Sequence, residues 1–370
     1  MGLAAWAMAF LALAAPEARA CNVPVFRYAL ERWVPEPYVA YVFHRGPLAA
    51  EQAALVERLT KAGRGDSPDG SLFVAAVDVA GPMDEGAAAA WKGHESAALP
   101  FIVVCYPEVY GVPWDAWSGP LSGETLGAIV DSPARREFVK RIIAGDSSVW
   151  LLLESGDKAK DDAAAAVLAA ELKRLKDVLE LPAPVDGSWD DPVYDAQGAP
   201  PQLKIAFSVL RLARTDPAEG ALVSMLLGIE EDLRASAEPI AIPIYGRGRA
   251  LYALVGKGIG RDNIEELCAF MVGPCSCIVK EQNPGIDILT TVDWEAALAS
   301  QESAVRPVDL PPLEGLARFS PDEAAGGDLD GPSGVLIAPA LAGVAAGLIG
   351  VAIIGVGSLF VWKRWQRRDT

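Results

Sequence analysis

The chain has 370 residues, half of them hydrophobic (51%), and a formal net charge of -17 from 32 basic and 49 acidic residues. That length suits about two ordinary domains, and that apolar content excludes a globally disordered chain. The acidic balance excludes nucleic acid as a partner, because phosphate binding needs Lys and Arg clusters and none occurs before the C-terminus. With only two histidines in the whole chain, His44 and His94, a histidine metal site or a Ser-His-Asp hydrolase would need one of the two in place.

Residues 1–20 end an apolar run from Leu3 to Ala15 with Pro16 and Ala18-Arg19-Ala20. An apolar core followed by a small-x-small site reads as a secretory signal peptide, although no Lys or Arg precedes it. Cleavage after Ala20 makes Cys21 the first mature residue. A lipid-acceptor cysteine would follow Leu and a small residue, where this chain has Ala18 and Arg19, so simple cleavage is expected.

The next segments alternate between helical and β-rich patterns, as in layered α/β folds. Pro24–Trp33 is expected as a short helix with Pro at its first position. Tyr38–Phe43 reads as a strand, Ala49–Ala62 as a helix, and Leu72–Val79 as a strand. Pro100–Tyr106 and Ala116–Leu121 are further strands, followed by a helix from Glu124 to Val130. The pattern then recurs. Val149–Glu154 is a strand, and Lys158–Leu179 a long helix with acidic residues early and basic ones late. Lys204–Leu212 is a strand and Gly220–Leu233 helical. Pro239–Tyr245 and Ala250–Val255 form a hairpin around Gly246-Arg247-Gly248, and Asn263–Val272 is a closing helix.

A stretch at 301–334, rich in Pro, Gly and acidic residues, reads as a stalk. Residues 335–362 carry no charge and are long enough to cross a hydrocarbon core of about 30 Å. Lys363, Arg364, Arg367 and Arg368 follow in the tail, 363–370, which the positive-inside rule keeps cytoplasmic. The expected protein is therefore single-pass, with its large N-terminal part outside the cytoplasm (periplasmic where there are two membranes) and its lipid contact through one helix. Gly343 and Gly347 form a GxxxG on one face of that helix and could pack against a partner or a second copy; the alternative is that glycine is simply common in such helices.

The repeated order β-α-β-α-β-β-α resembles the thioredoxin-like superfamily, with one domain over 21–145 and a second over 146–300. The resemblance rests on layout and on a few residues. Pro100 in Leu99-Pro100-Phe101 and Pro239 in Glu238-Pro239-Ile240 stand where the family has a cis-proline opening its third strand. A Gly-containing strand end follows each, as in Trp117-Ser118-Gly119 and Val255-Gly256-Lys257-Gly258. The departure concerns chemistry. After the first strand, where the family carries Cys-x-x-Cys, this chain has His44-Arg45-Gly46-Pro47, and its second repeat has Ser155-Gly156-Asp157-Lys158. Both positions lack the thiols that dithiol exchange requires. The resemblance therefore implies degenerate domains that dock a protein partner, a membrane complex among the candidates, with no cofactor, no metal and no catalytic residues.

Five cysteines remain: Cys21, Cys105, Cys268, Cys275 and Cys277. Cys105 lies in an apolar strand and reads as a small buried hydrophobe. For the others, one reading is a structural disulfide joining Cys21 or Cys268 to one of Cys275 and Cys277. The alternative is a thiol-disulfide or soft-metal site built on the Cys275/Cys277 pair. Gly246-Arg247-Gly248-Arg249 lies between two strands and reads as a turn, not a phosphate loop. Asp161, Asp162, Glu230, Glu231 and Asp232 read as solvated helix faces, Asp78 as a buried or capping carboxylate, and His94 as a loop residue with no evident partner.

Overall fold

A computed structural model describes residues 23–64, 71–182, 204–275 and 280–299. The expected signal peptide (1–20), the expected stalk (301–334), the charge-free segment 335–362 with Gly343 and Gly347, and the basic tail lie outside the described residues, as do Cys21 and Cys277. Among the described residues no helix is long and apolar enough to cross a membrane.

The protein is mixed α/β with two sheets. The first is built from β1 (Tyr38–His44), β2 (Leu72–Asp78), β3 (Phe101–Cys105) and β4 (Asp115–Pro120), in the order β2-β1-β3-β4. β1 and β2 are parallel; β3 is antiparallel to β1, and β4 to β3. The second contains β5 (Ser148–Glu154), β6 (Phe207–Ala213), β7 (Ile240–Tyr245) and the short β8 (Arg249–Ala250), β9 (Leu254–Val255) and β10 (Ile286–Asp287). Its order is β10-β8-β7-β5-β6, with β9 also paired to β7. Again β5 runs parallel to β6 and antiparallel to β7. Most of the strands and helices expected from the residue pattern are present within a few residues at each end, but the helix expected over Gly220–Leu233 stops at Leu227, and the strand expected over Ala250–Val255 is two short pieces, Arg249–Ala250 and Leu254–Val255.

Alternation along the strands divides each sheet into two apolar faces. On one face of the first sheet, Tyr38, Ala40, Val42, Ile102 and Val104 are buried under α2 (Ala50–Arg64) and α4 (Gly123–Val130). On the other, Phe43 and Val103 pack against Ala87 and Ala90 of α3 (Glu85–Trp91). In the second sheet, Trp150 and Leu152 point toward α6 (Lys158–Val178) and α8 (Arg261–Val272). Val149, Leu151 and Leu153 point the opposite way, toward α5 (Pro133–Ile143) and α7 (Gly220–Leu227). β5 is thus buried on both sides, which is why SVWLLLE is nearly continuous apolar sequence.

Chain order and packing disagree at both ends of the first sheet. The helix α1 (Val25–Arg32) precedes β1, yet Val25, Phe26, Tyr28, Ala29 and the following Trp33 belong to the core of the second sheet with Trp150 and Tyr245. α5, which follows the first sheet, also packs on the second through Ala134, Phe138, Val139 and Ile142. The expected boundary at 145 therefore does not divide the cores. The first sheet sits in the chain as an insertion between two pieces of the second.

Gly246 shows how closely α1 is held. It lies in the left-handed region at φ +56°, and a Cβ there would come 2.6 Å from Ala29 Cβ. Its neighbour Arg247 donates from Nε to Leu30 O (2.8 Å) and from Nη2 to Glu31 O (3.1 Å), satisfying carbonyls at the end of the helix. Gly246→Ala is expected to destabilise the protein by about 1–3 kcal/mol, combining backbone strain with overpacking. Gly93→Ala is the control: φ is +93° there too, but nothing lies within 4 Å of the added carbon. Thermal unfolding should show a larger loss for Gly246→Ala; equal losses would refute the close packing of α1 on this turn.

Both sheets belong to one compact unit, and polar groups join them. Trp114 Nε1 donates to Gly228 O (2.7 Å) and Ser224 Oγ to Ala116 O (2.7 Å). Tyr106 OH donates to Met225 O. Within the second core, buried Glu219 accepts from Ala134 N (2.7 Å) at the start of α5. Arg135, 2% exposed, donates to Ala128 O (2.9 Å), and burial brings its guanidinium down to about 10.

Candidate functional site

The residues that resembled a degenerate thioredoxin-type site meet at one end of the first sheet. β1 ends at His44, whose register partner on β2 is Asp78, while Phe43 is opposite Phe101 at the start of β3. The turn Arg45-Gly46-Pro47 leaves β1 with Gly46 at φ +64°, a conformation glycine adopts without steric cost. His44 Nδ1 lies 2.8 Å from Gly46 O. Asp78 accepts from Ala80 N (2.9 Å) and Gly46 N (3.1 Å). The amide hydrogens of Ala80 and then Gly46, assisted by the charges of His44 and Arg45, hold the Asp78 carboxyl below the usual carboxylate range. Asp78 thus caps the turn as one of the two sequence readings had it, although it is only half-buried. The Leu99–Pro100 peptide is cis and opens β3 at the same end.

The corresponding turn of the second sheet is closed more tightly. After Glu154 the chain reads Ser155-Gly156-Asp157 and enters α6, where Asp157 caps Ala159 N and Lys160 N. Asp161 is 3% exposed. Its carboxylate accepts from Ser155 N (2.7 Å), Ser155 Oγ (2.8 Å) and Gly156 N (3.0 Å). The reading of Asp161 as a solvated helix residue is corrected: the i+4 reach of the helix turns it inward onto the preceding turn. Pro239 stands just before β7, with Gly256 N donating to its carbonyl (2.8 Å). Its peptide is not cis, since Leu99–Pro100 is the sole cis bond among the described residues.

None of the described cysteines reaches either turn. Cys105 is opposite Val39, at the far end of the first sheet from His44. Burial pushes its thiol up to about 11, with Asp115 adding to the shift. Cys268 sits in α8 within the apolar cluster of the second sheet, and burial raises its thiol strongly. Cys275, 1% exposed, shares that cluster, and its backbone N donates to Val23 O (2.9 Å). Raised, buried thiols are poor nucleophiles at neutral pH. Among the described residues no group of three or more His, Cys, Asp or Glu could hold a metal ion.

His94 does have a partner. Its Nε2 lies 2.7 Å from Asp115 Oδ2, and its ring packs on Phe101 at 5.2 Å. The two residues are 21 apart in the chain, so only the folding of the loop after α3 over β3 and β4 reveals the pair.

The most concentrated charge lies elsewhere, and nothing in the residue pattern marked it. Asp287 on β10 is 4% exposed. It accepts from Lys280 Nζ (2.7 Å), Tyr110 OH (2.7 Å), Glu36 N (2.8 Å) and Arg249 Nη1 (3.2 Å). Its backbone carbonyl accepts from Tyr38 OH (2.8 Å). Arg249 also donates to Asn283 O (2.7 Å) and Pro284 O (3.0 Å), and its guanidinium lies 5.6 Å from the Trp33 ring centre. Lys280 is paired with Glu36 as well (2.8 Å). The Gly246–Arg249 stretch is a hairpin turn as expected, but its arginines tie α1 and β10 into the fold. With Asp287 Oδ2 accepting three hydrogen bonds and Oδ1 one, this cluster has the character of a fastening between the two sheets.

No protein-family model, no curated protein and no solved structure matches the chain.

Proposed function

We propose that this is an exported, membrane-anchored binding or scaffold protein whose two sheets are non-catalytic thioredoxin-like domains. The observation that carries the reading is the state of the two turns after β1 and β5. Neither contains a cysteine, and a carboxylate of the protein itself, Asp78 or Asp161, already takes their backbone donors. Such a turn offers no thiolate, and the amides of Gly46, Ser155 and Gly156 are already bonded to a carboxylate. The domain assignment is supported by the strand order β2-β1-β3-β4 and its counterpart β6-β5-β7-β9. It is supported further by the helices: the first and third of each repeat share one face, and the second takes the other. Fold likeness alone does not define an activity, so the functional part rests on the turns.

Export and anchoring are supported by the small-x-small ending at Ala18-Arg19-Ala20, the charge-free 335–362 segment and the basic residues after it. The partner is a protein, held through the outer surface of the paired domains and, if the Gly343/Gly347 face is used, through the membrane helix.

The test uses the full chain in detergent. Insulin reduction by dithiothreitol should proceed no faster with the protein than without it, and Cys275→Ser/Cys277→Ser should behave like the wild type. Accelerated reduction that the double variant abolishes would replace the scaffold reading with a thiol-disulfide protein. Protease added to intact spheroplasts should digest the large N-terminal part and spare the tail after Trp362; the reverse pattern would refute the orientation.

A further inference from the structure

We infer that the outer edge of β2 pairs with the same edge of a second copy of this chain, joining the first sheets of the two copies into one. A sheet edge carries unpaired backbone donors and acceptors, and folded proteins close or block such edges. The described residues do so at three of the four edges of the two sheets. On β10, Asp287 N donates to Tyr110 OH (3.2 Å) and Asp287 O accepts from Tyr38 OH (2.8 Å). On β4, Asp115 O accepts from Arg234 Nη2 (2.6 Å) and Ala116 O from Ser224 Oγ (2.7 Å). The register there also shifts between Val104 and Cys105, and Pro120 ends the strand. On β6, Arg141 Nη1 donates to Val209 O (3.0 Å), and exposed Arg211 places a charge within the strand.

β2 carries none of these blocks. Its seven residues, LFVAAVD, pair with β1 without a bulge, and the only charge is Asp78 at the end. Tyr38 N donates to Ser71 O (2.9 Å) and Val79 N to His44 O (2.9 Å). That parity turns the N–H and C=O groups of Phe73, Ala75 and Val77 toward β1, and those of Leu72, Val74, Ala76 and Asp78 outward. Asp78 O already accepts from Gly81 N (2.9 Å). Leu72 O is crowded by Gly63, a Cβ on which would stand 2.5 Å away. Val74 and Ala76 are left. Among the described residues, nothing bonds to the outward N–H or C=O of either.

A two-fold axis at Ala75 satisfies these groups. Antiparallel pairing about it sets Val74 opposite Ala76 of the second copy, and Ala76 opposite its Val74, each pair exchanging both bonds. An axis at Val74 would call on the crowded Leu72 O, and one at Ala76 on the occupied Asp78 O. The side chains agree. Ala75 meets Ala75 of the second copy at a position without hydrogen bonds, where Cα atoms stand about 4.5 Å apart and a small side chain fits. Phe73, 48% exposed, comes opposite Val77 of the second copy, an aromatic and β-branched pair on the face that carries Phe43 and Val103. The charges agree too. Asp78 comes opposite Leu72 of the second copy, near the last turn of α2 with its exposed Lys61, and not opposite another carboxylate. This edge is separate from the turns on which the scaffold reading rests.

Cross-linking of the full chain in detergent tests both the pairing and its register. The wild type should have twice the mass of one chain by light scattering. On mild oxidation with copper phenanthroline, Ala75→Cys should form an intermolecular disulfide above the wild-type background, because the axis brings that position against itself. Phe73→Cys should not, since the two Phe73 positions lie four residues apart along the paired strands, about 13 Å. Mixing Phe73→Cys with Val77→Cys should restore a bond. Adding Ala76→Pro to Ala75→Cys removes an outward N–H, leaves the ladder to β1 intact and should lower the cross-linked yield about tenfold or more. If the proline variant fails to fold, the contrast between positions 73 and 75 still decides. A monomeric wild type, which would leave the edge to an extended segment of another protein, overturns the inference. So does a dimer that Ala75→Cys does not trap, or equal cross-linking at positions 73 and 75.

Discussion

Replacing Asp287 with alanine is expected to lower the stability of the protein by about 3–5 kcal/mol, the usual cost of breaking a buried ion pair from one side. The loss follows from what remains. Arg249 and Lys280, both under a tenth exposed, keep their charges, while Tyr110 and the Glu36 amide lose their acceptor. For a folded unit of this size the fall in Tm should be roughly 2–4 °C for each kcal/mol. The pH dependence supplies a second readout. Burial by itself would raise the Asp287 carboxyl, but the charges of Lys280 and Arg249 outweigh it and hold the group below its ordinary value. A carboxylate depressed in the folded state contributes stability above its unfolded pKa of about 3.9 and loses it as pH falls through the lower folded value. The wild type should therefore lose part of its stability on acidification below about pH 4, and Asp287→Ala should lose less over the same interval. Equal acid sensitivity in the two proteins, or a cost near zero at neutral pH, would show that the cluster does not fasten the sheets.

Trp33→Ala should cost a similar amount, about 3–5 kcal/mol for a large buried aromatic, and the damage should appear in an unexpected place. Trp33 precedes the first sheet in the chain but is 5% exposed in the core of the second. Its ring meets Tyr28 edge-on at 6.2 Å and Tyr245 at 6.4 Å, with the Arg249 guanidinium above it. Hydrogen exchange should accelerate first in β5, α6 and α8, leaving β1 to β4 protected longer. Faster exchange confined to the first sheet would refute the assignment of α1 to the second core. Because the Asp287 and Trp33 sites share Arg249, the double variant should lose less than the sum of the two single changes.

The signals that were legible in the sequence are local. Short, continuous apolar runs such as YVAYVF and VWLLLE marked β1 and β5, since a strand covered on both faces buries successive side chains. The long helix from Lys158 was marked by its charge gradient. The residues at the sheet ends, His44 to Pro47 and Pro100, were found because each lies at a fixed offset from a strand. The absence of thiols there was visible at once.

Other features depend on which distant segments touch, and chain order does not carry that information. His94 meets Asp115 only because a loop folds across β3 and β4. Asp161 looked solvated because its helix is rich in charge, yet the turn before that helix draws it inside. Glu36, Tyr110, Arg249, Lys280 and Asp287 come from five separate segments, each unremarkable by itself, and burial makes them one cluster.

The sequence by itself determined the class of most elements, the acidic net charge, and the lack of a dithiol at either turn. These follow from composition, periodicity and residue identity along a few consecutive positions. Only the tertiary structure decided that α1 and α5 belong to the second core, that the first sheet is an insertion, and that Asp287 holds the two together. An apolar helix face is satisfied by any complementary surface, and the chain's long-range geometry selects which one it covers.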